Sequence, residues 1–167
     1  MNFCIYGIPR SRTAWLSTFF TANGYFCYHE AINGCNSLSE YMVKTATCGD
    51  STTNIAMSKY MPTDTKLVLI HGDIDKSVEY CEAYGLADSR CWLESGSKTL
   101  QSLEGLHVDL HDIDSRLEEI WAYVTGDMPY NERVAECIMG LDIKVKEPYA
   151  FDRTAFSNLL ENLDGRS

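Results

Sequence analysis

Basic residues are scarce in this chain: 14 Lys and Arg stand against 24 Asp and Glu, a formal charge of −10 over 167 residues. Such a surface repels nucleic acid and anionic membranes, which argues against a non-specific polyanion binder. No apolar run approaches membrane-spanning length, so no spanning helix is expected. The seven cysteines (Cys4, Cys27, Cys35, Cys48, Cys81, Cys91 and Cys137) form no CxxC pair and are odd in number. The opening MNFCIYGI is too short and uncharged for an export signal, so the expectation is reduced thiols in a cytoplasmic protein. No repeat, low-complexity tract or linker interrupts the chain. Its length suits one domain, residues 1–167, with its own core. No Gly-Lys pair occurs, so an ATPase or kinase loop of the GxxxxGK[ST] type is not present as written.

What is present is a regular alternation of apolar runs and amphipathic stretches. FCIYGI (3–8) is a short apolar run ended by Gly and Pro, as a central parallel strand requires. From Thr13, the residues Trp15, Leu16, Phe19 and Phe20 fall on one helical stripe that Asn23-Gly24 stops. YFCYH (25–29), TKLVLIHG (65–72) and LHVDL (106–110) read as further strands. Helices are expected over 36–46, 74–84, 88–103, about 113–125, 131–139 and 151–163, with a short one before Pro62. CGDSTTN (48–54) reads as a loop. Strands separated by helices argue for a parallel sheet covered on both faces, with the ligand site beyond the strands' carboxyl ends. Gly7 to Thr13, His29 with Glu30, and His71 to Asp73 would all collect there.

The first strand-to-helix loop carries Gly7, Pro9, Arg10, Ser11, Arg12 and Thr13. It points the free N–H groups of a helix, two guanidinium groups and two hydroxyls at one small volume, which suits a phosphate-like anion. In a chain this acidic, an anionic ligand needs such a local basic pocket.

The pattern PRS-x-T-x-W-L in this loop resembles the 5′-phosphosulfate loop of the sulfotransferases. The resemblance implies that Arg10 grips the bridging phosphate oxygen and that Ser11 and Thr13 donate further hydrogen bonds. Gly7, Pro9, Arg12 and Ala14 complete the implied donor-binding loop. Arg12 stands where the family usually has glycine. CYHE ends the second strand twenty residues past Arg10, where some family members place a catalytic glutamate; this implies Glu30 as base. LHVDLHDIDSRLEEIWAYVTG (106–126) resembles the strand and helix before the family's last segment. The family's R-x-P-x-D-x-x-x-S pattern, which holds the donor's 3′-phosphate, has His71 and Glu79 at its Arg and Ser places; a slipped register brings Ser77 into play. The implied donor is 3′-phosphoadenosine 5′-phosphosulfate (PAPS, leaving as PAP), with no metal.

The fold expectation is therefore a single three-layer α/β domain of the P-loop nucleoside-triphosphate-hydrolase type, with about four or five parallel strands. The functional expectation is a sulfotransferase-like enzyme moving a sulfuryl group to a small-molecule or protein hydroxyl or amine. Its catalytic groups are Arg10 and Glu30, and His29, Asp50 and Ser51 line the acceptor side. Two alternatives stand beside it: an ATP-dependent phosphotransferase holding Mg²⁺ with Ser11 or Thr13 and Asp73, and a non-catalytic anion-binding module. His107, Asp109 and His111 alternate and would share one strand face, but an exposed strand end explains them without a metal.

Overall fold

The computed structural model describes residues 2–126, 128–141 and 143. The helix expected over 151–163 lies outside them. Five parallel strands form one sheet in the order β2-β3-β1-β4-β5. They are β1 (Phe3–Gly7), β2 (Cys27–His29), β3 (Gly49–Thr52), β4 (Lys66–His71) and β5 (Leu106–Asp109). Among the described residues six α-helices accompany them: α1 (Thr13–Ala22), α2 (Leu38–Lys44), α3 (Ile74–Ala83), α4 (Ser89–Ser102), α5 (Leu117–Thr125) and α6 (Glu132–Met139).

β1 is buried along its whole length because it sits mid-sheet between two layers. Phe3 and Ile5 face a layer built by α1, α5 and α6, where Trp15, Leu16, Phe19, Phe20, Ile120 and Trp121 meet them. Cys4 and Tyr6 face the other way, onto Val78 of α3, Leu93 and Leu100 of α4, and Ile55. The alternation along one strand thus feeds two cores, which makes the architecture three-layered. The aromatic stripe of α1 is what seats it: Trp15 stacks on Phe19 at 5.7 Å and Phe20 on Trp121 at 5.5 Å. The expected start of α5 near Ile113 is instead taken by two 3₁₀ turns, Leu110–Asp112 and Asp114–Arg116.

One element departs from the sequence expectation. Residues 49–52 are not loop but β3, paired on one side with β1 (Cys4 beside Asp50) and on the other with β2 (Tyr28 beside Asp50). GDST contains no apolar residue, so hydrophobic periodicity carries no strand signal there. Tertiary contacts supply what the segment lacks. The Phe3 ring lies over Gly49 so closely that any side chain at that position would overlap it. Asp50 is fully buried, yet its carboxyl accepts from the Tyr41 hydroxyl at 2.9 Å and from the Ala31 amide at 3.1 Å.

Burial pushes the Asp50 carboxyl from 3.8 up to about 7, against the opposing effect of those hydrogen bonds. The folded chain therefore holds a proton that the unfolded chain releases near pH 4. The stability this group contributes is complete below pH 4 and is lost as pH rises towards 7. At 1.36 kcal/mol per unit, the upper bound of that loss is about 4 kcal/mol. Asp50→Asn should flatten this dependence, and denaturant titrations at pH 4, 5.5 and 7 read it as a wild-type-minus-variant difference that changes with pH. A difference constant across the series would show that Asp50 titrates normally.

Candidate functional site

α1 leaves the end of β1 towards one face of the sheet, whereas α3 leaves neighbouring β4 towards the other. Diverging connections open a crevice beyond the carboxyl end of β1, the position where open α/β sheets bind ligands. Of residues 8–12, which follow β1, Pro9, Arg10 and Arg12 keep exposed surface while Ile8 and Ser11 are buried.

The loop begins as a turn in which the Ser11 amide donates to the Ile8 carbonyl at 3.1 Å. Pro9 sits where the turn needs φ near −65°, and Arg10 follows with φ 72°. Arg12 is also left-handed, at φ 59° and ψ 24°. Each such non-glycine residue costs of order 1–3 kcal/mol and persists only where its surroundings enforce it. Here the enforcing contacts are identifiable. Ser11 is wholly buried, pressed against Gly7 and Gly72: a Cβ on Gly7 would stand 2.7 Å from Ser11 Cβ, and one on Gly72 would overlap Ser11 Oγ. Ser77 Oγ lies 2.6 Å from the Pro9 carbonyl and 2.9 Å from that of Asp73, tying α3 to the back of the turn.

The result is a helix N-terminus without a cap. No side chain caps α1, and the amides of Arg12, Thr13, Ala14 and Trp15 have no hydrogen-bond partner among the described residues. Four unpaired N–H groups at the positive end of the helix dipole form the strongest anion-attracting feature of the crevice.

The two arginines separate. Arg12 is committed: its guanidinium pairs with Asp114 at 2.7 Å and lies over the Trp15 ring at 4.1 Å. Arg10 is exposed, has no carboxylate partner among the described residues, and rests 5.4 Å from the centre of the Tyr80 ring. It borders an open groove of about 880 Å³ lined also by Asp73, Lys76, Tyr80 and Tyr84.

His29 and Glu30, at the end of β2, face different partners. His29 Nε2 lies 3.3 Å from Thr13 Oγ1, at the mouth of α1. Burial lowers its pKa, partly offset by Glu30, so the imidazole is neutral around pH 7. Glu30 adopts φ 55° and turns back towards β3. It accepts from Thr52 Oγ1 (2.7 Å), the Thr53 amide (2.7 Å), Thr53 Oγ1 (2.9 Å) and Asn54 Nδ2 (2.6 Å).

The remaining candidates lie elsewhere. Asp50 and Ser51, expected on an acceptor loop, are buried strand residues with no exposed surface. Ser11 Oγ and Ser51 Oγ have no partner among the described residues, and both are shut off from the crevice surface. Ser77 faces the loop's backbone. His71 is turned to His107, with its Nε2 2.8 Å from His107 Nδ1, while His107 Nε2 bonds the Leu103 carbonyl at 3.1 Å. Asp109 accepts from the His111 amide. Among the described residues, no three His, Cys, Asp or Glu side chains converge as metal ligands. No helix among them is long and apolar enough to cross a membrane.

Sequence reasoning missed Gly72, which makes room for Ser11, and the Thr52, Thr53 and Asn54 cage around Glu30. Gly72 was findable, since a glycine directly after a sheet strand signals close backbone approach. The cage was not, because its residues were read as loop. No family model and no curated protein matches the chain.

The clamp on Ser11 is testable by stability. Gly72→Ala places a methyl on Ser11 Oγ and crowds Ile8, so a loss of about 1–3 kcal/mol is expected in chemical denaturation. Adding Ser11→Gly removes the obstructed hydroxyl and should recover part of it. Equal losses in the single and double variants would show that Ser11 does not limit the space.

Proposed function

We propose that this chain is a sulfotransferase-like enzyme of the P-loop type, which binds the 5′-phosphosulfate end of a nucleotide on the free amides of α1 and transfers its sulfuryl group to an acceptor hydroxyl or amine. The observation that carries this reading is the uncapped N-terminus of α1 at the switch point of a parallel sheet, reached through a strained turn. The PRS-x-T-x-W-L pattern lies on that turn and first helical turn. The amides of Arg12, Thr13, Ala14 and Trp15 are the groups that would receive the donor's anionic end.

In sulfuryl transfer, negative charge builds on the phosphate oxygen that leaves. Fixed N–H donors aimed at that oxygen stabilise it with little reorganisation, and one such donor is typically worth about 10²–10³ in rate. Arg10 is the exposed cation at the lip. Its guanidinium rests on an aromatic face, an interaction of only about 0.5–1 kcal/mol at an exposed site, so swinging towards an anion costs little. Arg12 contributes differently: paired with Asp114 and packed on Trp15, it holds the start of α1 in place.

The phosphotransferase alternative asks Ser11 or Thr13 to share Mg²⁺ with Asp73. Ser11 Oγ is buried, and Asp73 Oδ1 accepts from the Lys76 amide as the cap of α3. That arrangement supports sulfuryl transfer better than a magnesium site.

Ala14→Pro tests the amides directly. Proline is tolerated in a first helical turn, where it removes an N–H that has no helical partner. The variant should retain its circular dichroism while its affinity for adenosine 3′,5′-bisphosphate falls about tenfold or more, the worth of one hydrogen bond to a charged group. Calorimetry with the bisphosphate, ADP and inorganic sulfate in parallel reads both affinity and preference. Wild-type protein that binds none of the three at millimolar concentration would refute the reading.

A further inference from the structure

Group transfer needs a proton acceptor, and the end of β2 presents two adjacent candidates. Glu30 has four donors on its two oxygens, so each lone-pair direction is already taken. With its left-handed backbone, its carboxylate is held by residues 52–54 at the neighbouring strand end. Accepting a proton there would give up at least one of these charge-assisted hydrogen bonds and force a Thr hydroxyl to turn round. Glu30 is built as an anchor that joins the end of β2 to the end of β3.

His29 has the opposite surroundings. Its side chain keeps 22% of its surface, and its hydrogen-bond partner among the described residues is Thr13 Oγ1 at 3.3 Å. Thr13 is the first residue of α1, and its own amide is one of the unpaired four. An oxyanion on that amide is therefore a close neighbour of the imidazole. The groups packed around His29 from α1 and from 52–54 are neutral, and Glu30, with Oε1 4.0 Å away, is the charged group facing it.

We propose that His29, and not Glu30, takes the acceptor's proton, with Thr13 holding its Nε2 until the acceptor arrives and Glu30 positioning the strand end that carries it. This rests on the anion-site reading above. With the Thr13 hydroxyl donating to Nε2, the ring is the Nδ1–H tautomer, and its Nε2 lone pair is directed at Thr13 Oγ1, beside the unpaired amides of α1. The acceptor hydroxyl replaces Thr13 at Nε2. Its oxygen bonds to sulfur as the bond from sulfur to the bridging phosphate oxygen breaks. The proton goes to Nε2, and the electron pair of the broken bond stays on the phosphate oxygen, facing the α1 amides. No oxidant or reductant is involved.

The test combines a spectroscopic readout with turnover. Long-range ¹H–¹⁵N spectra of the four histidines, recorded across pH with and without adenosine 3′,5′-bisphosphate, follow each ring's titration. The anion favours imidazolium, so the His29 midpoint should rise on binding. His29→Asn should keep its bisphosphate affinity within about threefold and lose about 10²–10⁴ in phosphosulfate cleavage, together with the acidic limb of the kcat/KM profile. Glu30→Gln should lower Tm and leave that acidic limb in place. Bisphosphate binding with an unmoved His29 midpoint, or an acidic limb that disappears in Glu30→Gln and survives in His29→Asn, overturns the assignment while sparing the anion site. Absence of bisphosphate binding to the wild type removes the anion site, and this assignment with it.

Discussion

The sheet depends on burying a strand that has no hydrophobic residue. β3 lies between β1 and β2, so the position of β2, and of everything at its carboxyl end, is transmitted through Gly49–Thr52. A polar strand can occupy that place only if its groups are satisfied from outside the ladder. Phe3 covers Gly49, while Tyr41 and the Ala31 amide satisfy Asp50. Leaving a buried carboxyl without those partners costs several kcal/mol. The short segments around Ala31 and Tyr41 are thus part of the mechanism by which β2 reaches α1.

A second constraint shapes the crevice itself. The turn after β1 holds two left-handed arginines, and neither conformation is intrinsically favourable. Packing compensates: Ser11 is lodged between two glycines, Ser77 grips the Pro9 carbonyl, and Arg12 is pinned by Asp114 and Trp15. The strain exposes the first amides of α1 to the crevice instead of letting a side chain cap them. Anion attraction here belongs to the backbone more than to the guanidinium groups, which matters in a chain of net charge −10.

Four strands and helices α1 to α6 were readable because their apolar residues repeat with the right period and are bounded by Gly, Asn or Pro. Their observed limits differ from the expected ones by a few residues, most at α5, where 3₁₀ turns replace the first helical turn. The uncapped start of α1 at the end of β1 was readable for a local reason: a strand, a Pro-containing turn and an amphipathic helix determine where the helix amides point. The division of labour among its side chains was not. Arg10 and Arg12 are two residues apart and alike in chemistry. They differ in what stands near them, Tyr80 for one and Asp114 for the other, and those partners are 70 and 102 residues away in the chain.

The sequence by itself determined the alternation that makes a parallel, doubly covered sheet and the location of the helix start that faces the crevice, because both arise from short-range patterning. Only the tertiary structure decided that 49–52 is a strand, that Glu30 is enclosed by donors while His29 faces Thr13, and that Ser11 is packed away between Gly7 and Gly72. Each of these is settled by a long-range neighbour filling or leaving a space, and pattern along the chain holds no record of such neighbours.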